Sequence, residues 1–342
     1  MSKTLKDVAK LAGVDICSVS RTLSHHPLAM NLRTETRERI FEAAQKLGYR
    51  RNLFAACIRR GENPTIAIIM DEYLDKLPSA QRLMSGLLKV ASEANYAIKL
   101  YSPDNLDQVL NNVLSYQIKM IVCSCLDRSF REQLALLCRQ HALNLVFLYE
   151  HPHSGFPSFN SDNYGLMCEC VEHVIQKGHT RIGFVCSNLF YNDWRYLQER
   201  YRAFIDTMKR HGLEPNMKWM LFPENMSDGV DELLDLPAAE RPSVFVCVGD
   251  GLALDVQRRA FRRGMRLPDE VSVTGFGGDP YYDLNMVSLT TVIEDHERIG
   301  RSAVEYLLNG HTDLPLDEFG VYRCRGRFVE RESVSDLRRQ IG

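Results

Sequence analysis

Four residues near the N-terminus carry the first chemical signal: Ile16, Cys17, Ser20 and Arg21. At helical spacing they gather on the side opposite Val19 and Leu23, so one face of this segment would be apolar and the other open. Arg21 can donate two hydrogen bonds to a guanine edge, while Ile16 and Cys17 offer apolar contact, for instance to a thymine methyl. An isolated helix with a surface Arg has a blander reading, a solvated face. The surrounding elements decide between the two.

Those elements are short helices. Leu5, Val8, Ala9 and Ala12 recur at helical spacing behind Thr4, an N-cap with Asp7 three residues on. Gly13 ends this helix and Asp15 caps the next. Two short helices joined by a tight Gly-containing turn make a helix-turn-helix. Residues 24–33 read as a loop. A third helix over about 34–47 places Ile40, Ala43, Ala44 and Leu47 on one face. Residues 1–50 thus form an all-α head. Its charge suits a polyanion: residues 1–63 hold 12 Lys and Arg against 6 Asp and Glu, net +6, while the remainder holds 30 against 38, net −8.

From Pro64 onward the pattern changes. Strand-like segments near 66–70, 96–101, 119–124, 144–149, 180–186, 243–248, 271–276 and 288–293 alternate with helical ones near 79–94, 129–141, 163–177, 195–211, 250–263 and 295–308. Such alternation implies parallel sheets covered by helices, and eight strands suit two lobes with a cleft at the strands' carboxyl ends.

Composition excludes several classes. The 342 residues, 45% hydrophobic and 25% charged, fit a globular protein of two or three domains. Apolar runs are too short to cross a bilayer, and the opening MSKTLKDVAK lacks a signal-peptide core, so the expected location is the cytoplasm with no membrane partner. Cys57, Cys138, Cys186 and Cys247 lie in apolar or helical stretches. The pairs Cys123/Cys125 and Cys168/Cys170 lack a second pair at zinc-site spacing. Reduced structural thiols, with no metal and no cofactor, are expected. An enzyme is disfavoured: there is no Walker lysine, no G-x-S-x-G and no H-E-x-x-H, and Gly275-Phe276-Gly277-Gly278 is not a strand-to-helix G-x-G-x-x-G. A transport-type binding protein would need a secretion signal.

The segments TLKDVAKLAGVDICSVSRTLS and TRERIFEAAQKLGY resemble the DNA-binding head of the LacI/GalR family of bacterial transcriptional regulators. The likeness includes Thr4, Asp7, Val8, Ala9, Ala12, Gly13, Val14, Val19, Ser20, Arg21, Leu23, Thr36, Arg37, Leu47, Gly48 and Tyr49. It implies that Ile16 and Cys17 are base-reading positions and that Arg21 contacts bases or phosphates. Thr4, Asp15, Ser18 and Ser20 complete the DNA-facing set. Ser18 stands where the family usually has Thr, and Asp15 replaces the usual Ser cap with a charge that can repel a nearby phosphate. In the linker, residues 51–63, Asn52 and Ala55 match. Arg51 replaces a Pro, Ala56 an Arg, and Ile58 a Leu that wedges into the minor groove. Ile58 can still part a base step, with Arg59 near phosphates. A hinge helix over about 52–60 that orders on DNA is expected; the alternative is a plain basic linker.

The body resembles the same family in Asp162-Asn163, Lys177-Gly178-His179, Arg181-Ile182-Gly183, Arg200, Ala203-Phe204, Arg241-Pro242, Asp250, Leu267-Pro268, Val271-Ser272-Val273 and Leu289-Thr290-Thr291-Val292. This implies a two-lobed, periplasmic-binding-protein-like domain over 64–335, with one lobe at about 64–161 and 290–318 and the other at about 162–289 and 319–335. Arg200 matches an effector-binding Arg, able to grip hydroxyls, a carboxylate or a phosphate. Trp194 would sit at the pocket edge. Asp250 either faces the cleft or caps the following helix. Gly277 occupies a place where the family often has Asp, and Asp279 is a substitute after a small loop shift.

The resulting expectation is a repressor that binds an inverted-repeat operator as a homodimer, a tetramer remaining open, and answers to a small polar effector, a sugar or related metabolite. A constitutive repressor without a working pocket is the alternative.

Overall fold

The computed structural model describes residues 3–24, 26–50, 63–71, 78–150, 155–186, 195–222, 229–278 and 287–340. The chain divides into two compact units, Met1–Asn63 and Pro64–Gly342.

The first unit is built from α1 (Leu5–Ala12), α2 (Ile16–Leu23) and α3 (Thr34–Lys46). Thr4 and Asp7 close a capping box: the Thr4 hydroxyl accepts the Asp7 N–H at 3.4 Å and the Asp7 carboxylate accepts the Thr4 N–H at 2.8 Å. Gly13, at φ 66°, ends α1 in the left-handed conformation that glycine adopts without a Cβ penalty. That sharp exit sets α2 across α1. Val8, Val19 and Ile40, one from each helix, are all 0% exposed and pack with Ala9, Ala12, Ala43 and Ala44. Burying each of the three large side chains contributes about 1.5–3 kcal/mol. Arg39 of α3 donates to the Ala12 carbonyl at 3.0 Å and so ties α3 to the end of α1. Within the expected 24–33 loop lies one short 3-10 turn, Pro27–Asn31.

The second unit holds two six-stranded sheets. One contains β1 (Thr65–Ile69), β2 (Ala97–Tyr101), β3 (Met120–Cys123), β4 (Asn144–Leu148), β5 (Ser158–Ser161) and β11 (Val321–Cys324), in the order β11-β5-β4-β3-β1-β2. The other contains β6 (Ile182–Val185), β7 (Met220–Leu221), β8 (Val244–Cys247), β9 (Ser272–Gly277), β10 (Thr290–Ile293) and β12 (Arg327–Val329), in the order β12-β10-β9-β8-β6-β7. Pairing is parallel throughout except between β10 and β12. Helices cover the sheets, which is why Ile66–Ile69 and Val244–Cys247 are apolar at every position.

In the first lobe, α4 (Pro78–Glu93) packs closely on α11 (His296–Asn309). A Cβ at Gly86 would sit 2.0 Å from the Glu297 carbonyl oxygen, and one at Gly300 2.4 Å from that of Leu83, so both positions must be glycine for this approach. The lobes exchange chain a few residues later than the sequence suggested. β10, expected in the first lobe, pairs with β9 in the second, and β11, expected in the second, pairs with β5 in the first. The first lobe is therefore 64–161 with 294–325, and the second 162–293 with 326–340. Strands of four residues carry too little periodicity to reveal which sheet takes them. For the same reason β5, β7, β11 and β12 go unannounced in the sequence.

Candidate functional site

The first candidate surface is the outer face of α2. Ile16 is 42% exposed, Cys17 and Arg21 are exposed, and Ser18 and Ser20 are half-buried, whereas Val19 and Thr22 point inward at 0% and 2%. The helix is held at its first turn by Asp15, whose Oδ1 accepts the Ser18 N–H at 2.8 Å and whose Oδ2 accepts the Ser18 hydroxyl at 2.5 Å. These bonds, the hydroxyl first, hold the Asp15 carboxyl below the usual carboxylate range, so it is ionised at neutral pH. A phosphate approaching this turn meets helix N–H groups and the Asp15 charge together. Thr4 is exposed at the start of α1, with its hydroxyl engaged by Asp7. The structure thus brings Ile16, Cys17, Ser20 and Arg21 onto one open face. Asn52, Ala55, Ile58 and Arg59, with the expected hinge helix, lie outside the described residues.

The second candidate lies where the carboxyl ends of β5, β8, β9 and β10 meet. Arg200, on α8 (Arg195–Arg210), is 5% exposed and engaged on every nitrogen. Its Nε donates to Asn163 Oδ1 at 2.9 Å, Nη1 to the Val248 carbonyl at 2.8 Å and Nη2 to Glu294 Oε1 at 3.0 Å. Its guanidinium lies 3.6 Å above the Phe276 ring and 5.2 Å from that of Tyr196. Burial pushes the Glu294 carboxyl up, but Arg200, His296 and the Ser161 hydroxyl outweigh it and hold it below its ordinary range. Arg200 and Glu294 are therefore a buried ion pair. Any ligand seeking Arg200's grip must take it from internal partners.

The pair leads into the first lobe. Glu294 Oε2 stands 3.7 Å from His296 Nε2, and His296 Nδ1 is bonded to the Tyr149 hydroxyl at 3.0 Å. Burial drives the His296 imidazole down to about 4, Glu294 opposing and Arg82 and Arg200 adding to it. It is neutral at pH 7. Beside the Arg200–Glu294 pair, which itself joins the lobes, further ties cross between them, Arg325 to Asp162 and Glu169 included. Arg82 of α4 donates to the carbonyls of Gly277 and Gly278 at 3.0 and 3.3 Å, and Arg323 of β11 donates twice to Glu199 of α8, at 3.0 and 2.7 Å.

Asp250 is 3% exposed. It is the first residue of α10 (Asp250–Arg262), and its carboxylate accepts the Gly278 N–H at 2.7 Å and the Thr291 hydroxyl. Both bonds are within its own lobe, and they fix the turn after β9 in which Gly277 replaces the expected Asp. Trp194 and Asp279 lie outside the described residues. Glu294, His296, Tyr149, Phe276 and Arg82 are missing from the sequence-derived set, because each meets Arg200 or the lobe junction through long-range contacts that no local motif records.

The described cysteines are all free, and all but Cys17 are buried. Burial pushes Cys123, Cys138, Cys170 and Cys186 up to about 12, so these thiols stay protonated and act as packing groups. No helix among the described residues is long and apolar enough to cross a membrane.

The chain is similar to known proteins over both of its units. Residues 4–52 match the family described as bacterial regulatory proteins, lacI family, and residues 171–334 match the periplasmic binding protein-like domain. The HTH-type transcriptional repressor PurR of Aliivibrio salmonicida (strain LFI1238) is 25% identical over 345 residues, covering 98% of this chain and 99% of the relative. Among solved structures, the lac repressor dimer bound to operator and the anti-inducer ONPF superposes with TM-score 0.79 at 18% identity, covering 98% of this chain and all of that one. The complex of the transcriptional regulator CelR with cellobiose superposes with TM-score 0.66 at 21% identity, covering 97% and 99%.

Proposed function

We propose that this chain, a LacI-family DNA-binding transcriptional repressor, acts in the cytoplasm as a homodimer on an inverted-repeat operator and is modulated by a small polar effector in the cleft between its lobes. The observation that carries the DNA reading is the capped, outward face of α2, where Ile16, Cys17 and Arg21 stand exposed over a fully buried Val19. Two such heads on one two-fold axis make the operator's symmetry mirror the protein's. The solved relatives support the rest by what they were crystallised with: one as a dimer on operator with an anti-inducer, the other with cellobiose. A sugar or related metabolite is the corresponding effector class here. Asn52, Ala55, Ile58 and Arg59 are assigned to the minor groove and its phosphates by their resemblance to the family.

An effector can shift DNA affinity only by its differential affinity for the two lobe arrangements. The ties that differ between arrangements would be those crossing the junction, among them Arg82 to Gly277 and Gly278, Arg323 to Glu199 and Arg200 to Glu294. A second reading, a constitutive repressor, draws support from Arg200 being fully engaged by internal partners. DNA affinity indifferent to every metabolite tested would favour it.

The test is selection of binding sites from the source organism's sheared DNA, at two salt concentrations. A compact inverted repeat that survives added salt is expected. Enrichment without a common motif, lost steeply with salt, would reduce the interaction to phosphate attraction and refute operator recognition.

A further inference from the structure

Acceptors and donors are unevenly engaged at the lobe junction. Asp250 gives its oxygens to the Gly278 N–H and the Thr291 hydroxyl. Glu294 Oε1 and the Asn163 amide oxygen both serve Arg200. Asn160 Oδ1 accepts from the Ser161 N–H and from the Asn163 amide. Each of these named oxygens already accepts a hydrogen bond from the protein itself.

What stands open is on the donor side. Arg82 bonds two carbonyls through its terminal nitrogens, but its Nε–H is buried with no acceptor. Those carbonyls are neutral, so among the described residues the Arg82 charge has no carboxylate within ion-pair distance, unlike Arg200. His296 is 4% exposed and its Nε2 has no hydrogen-bond partner, Glu294 Oε2 being too distant at 3.7 Å. With the Tyr149 hydroxyl donating to Nδ1 and a carboxylate on the other side, Nε2 carries the proton and is a second donor. The Ser124 hydroxyl, 1% exposed at the carboxyl end of β3, is also unpartnered. The Gly277 carbonyl that accepts from Arg82 at 3.0 Å also accepts the Glu294 N–H at 3.4 Å, and Glu294 stands 3.7 Å from His296, which places Arg82 and His296 in one neighbourhood. A buried donor without an acceptor carries a desolvation penalty that a ligand's oxygen would relieve.

We propose that Arg82 and His296 form an anion subsite at the lobe junction, and that the effector is an acceptor-rich metabolite bearing a carboxylate or phosphate group. This rests on the effector-cleft reading above and sharpens its ligand class, from sugars in general to acidic or phosphorylated ones. The subsite also supplies a coupling. A guanidinium binds an anion more strongly than it binds backbone carbonyls. Binding therefore draws Arg82 from Gly277 and Gly278 and loosens one of the ties between lobes. The charge on the ligand, rather than its ring, moves the lobes.

The test is thermal unfolding and calorimetry of the full chain with four probes: inorganic phosphate, D-glucose, D-gluconate and D-glucose 6-phosphate, each against sodium chloride at matched ionic strength. Phosphate and the two charged sugars are expected to bind and to raise the sensor transition, glucose to bind at least tenfold more weakly. Arg82→Gln and His296→Phe are each expected to weaken the charged probes at least tenfold, with unliganded melting of each variant checking that it folds. Glucose binding as tightly as its charged relatives overturns the anion subsite and leaves effector sensing standing. Charged probes that bind Arg82→Gln undiminished overturn it too, by placing them on the basic head. Failure of all four probes to bind overturns the subsite, and a wider metabolite panel that also fails overturns the sensing reading.

Discussion

Arg21 and Arg200 are the same residue in opposite circumstances. Arg21 stands exposed on α2, its guanidinium without an acceptor among the described residues. Arg200 is 5% exposed, with a carboxylate, an amide and a carbonyl on its nitrogens and an aromatic ring on its face. The first is turned outward at low structural cost, as the proposed contact with a polyanion requires. The second is chemistry already satisfied inward, so that a ligand must exchange with the fold. Recognition by the head should therefore be separable from stability, and recognition by the cleft should not.

The largest effect that would sharpen this contrast is at the buried pair. Glu294→Ala leaves Arg200 as a buried charge without its carboxylate, and the loss should be about 3–5 kcal/mol in urea unfolding of the sensor unit. A loss no larger than that of a surface substitution would break the contrast from the cleft side. Next is the head core: Ile40→Ala should cost the head about 2–4 kcal/mol. DNA binding would fall with it, while the sensor's unfolding transition stays in place, since the two units have separate cores.

A pH series gives a third, intermediate effect. The folded-state imidazoles of His296 and His179 are depressed to about 4 from an ordinary 6.5, chiefly by burial. As pH falls below about 6.5, the unfolded chain takes up protons that the folded chain refuses, so stability is lost between about 6.5 and 4. Glu294, held below its usual 4.5, loses its contribution in a lower window. Urea midpoints measured across this range should fall with acid, and His296→Phe should flatten the upper part of the decline. An unchanged slope in that variant would show that His296 is not buried and neutral. The smallest effect is at Asp15. Replacement by Ala should lower the melting of the head slightly by removing the α2 cap, and, by removing a charge that repels phosphate, should steepen the salt dependence of DNA binding measured by anisotropy.

The head was legible in the sequence because its determinants are local. Thr4 with Asp7, Gly13, and Asp15 with Ser18 are all within three residues of what they act on, and the apolar spacing names the core. The sensor's alternation of strand and helix was equally plain. Its site was less so. Arg200 and Glu294 are 94 residues apart, Arg82 and Gly278 are 196 apart, and each polar residue reads as an ordinary surface group until the fold brings its partner. The same distance dependence explains the misplaced crossings: β10 and β11 are assigned by which sheet edge they meet, and that information is absent from four residues.

The most direct test of the account is operator binding by the full chain, wild type against Arg21→Ala, measured by fluorescence anisotropy on the selected operator and on a scrambled duplex at rising salt. The account predicts that wild type prefers the operator throughout, and that Arg21→Ala loses about tenfold or more on the operator while its weak affinity for the scrambled duplex changes far less. An Arg21→Ala protein that keeps the wild-type preference would contradict the assignment of α2 as the element that reads DNA.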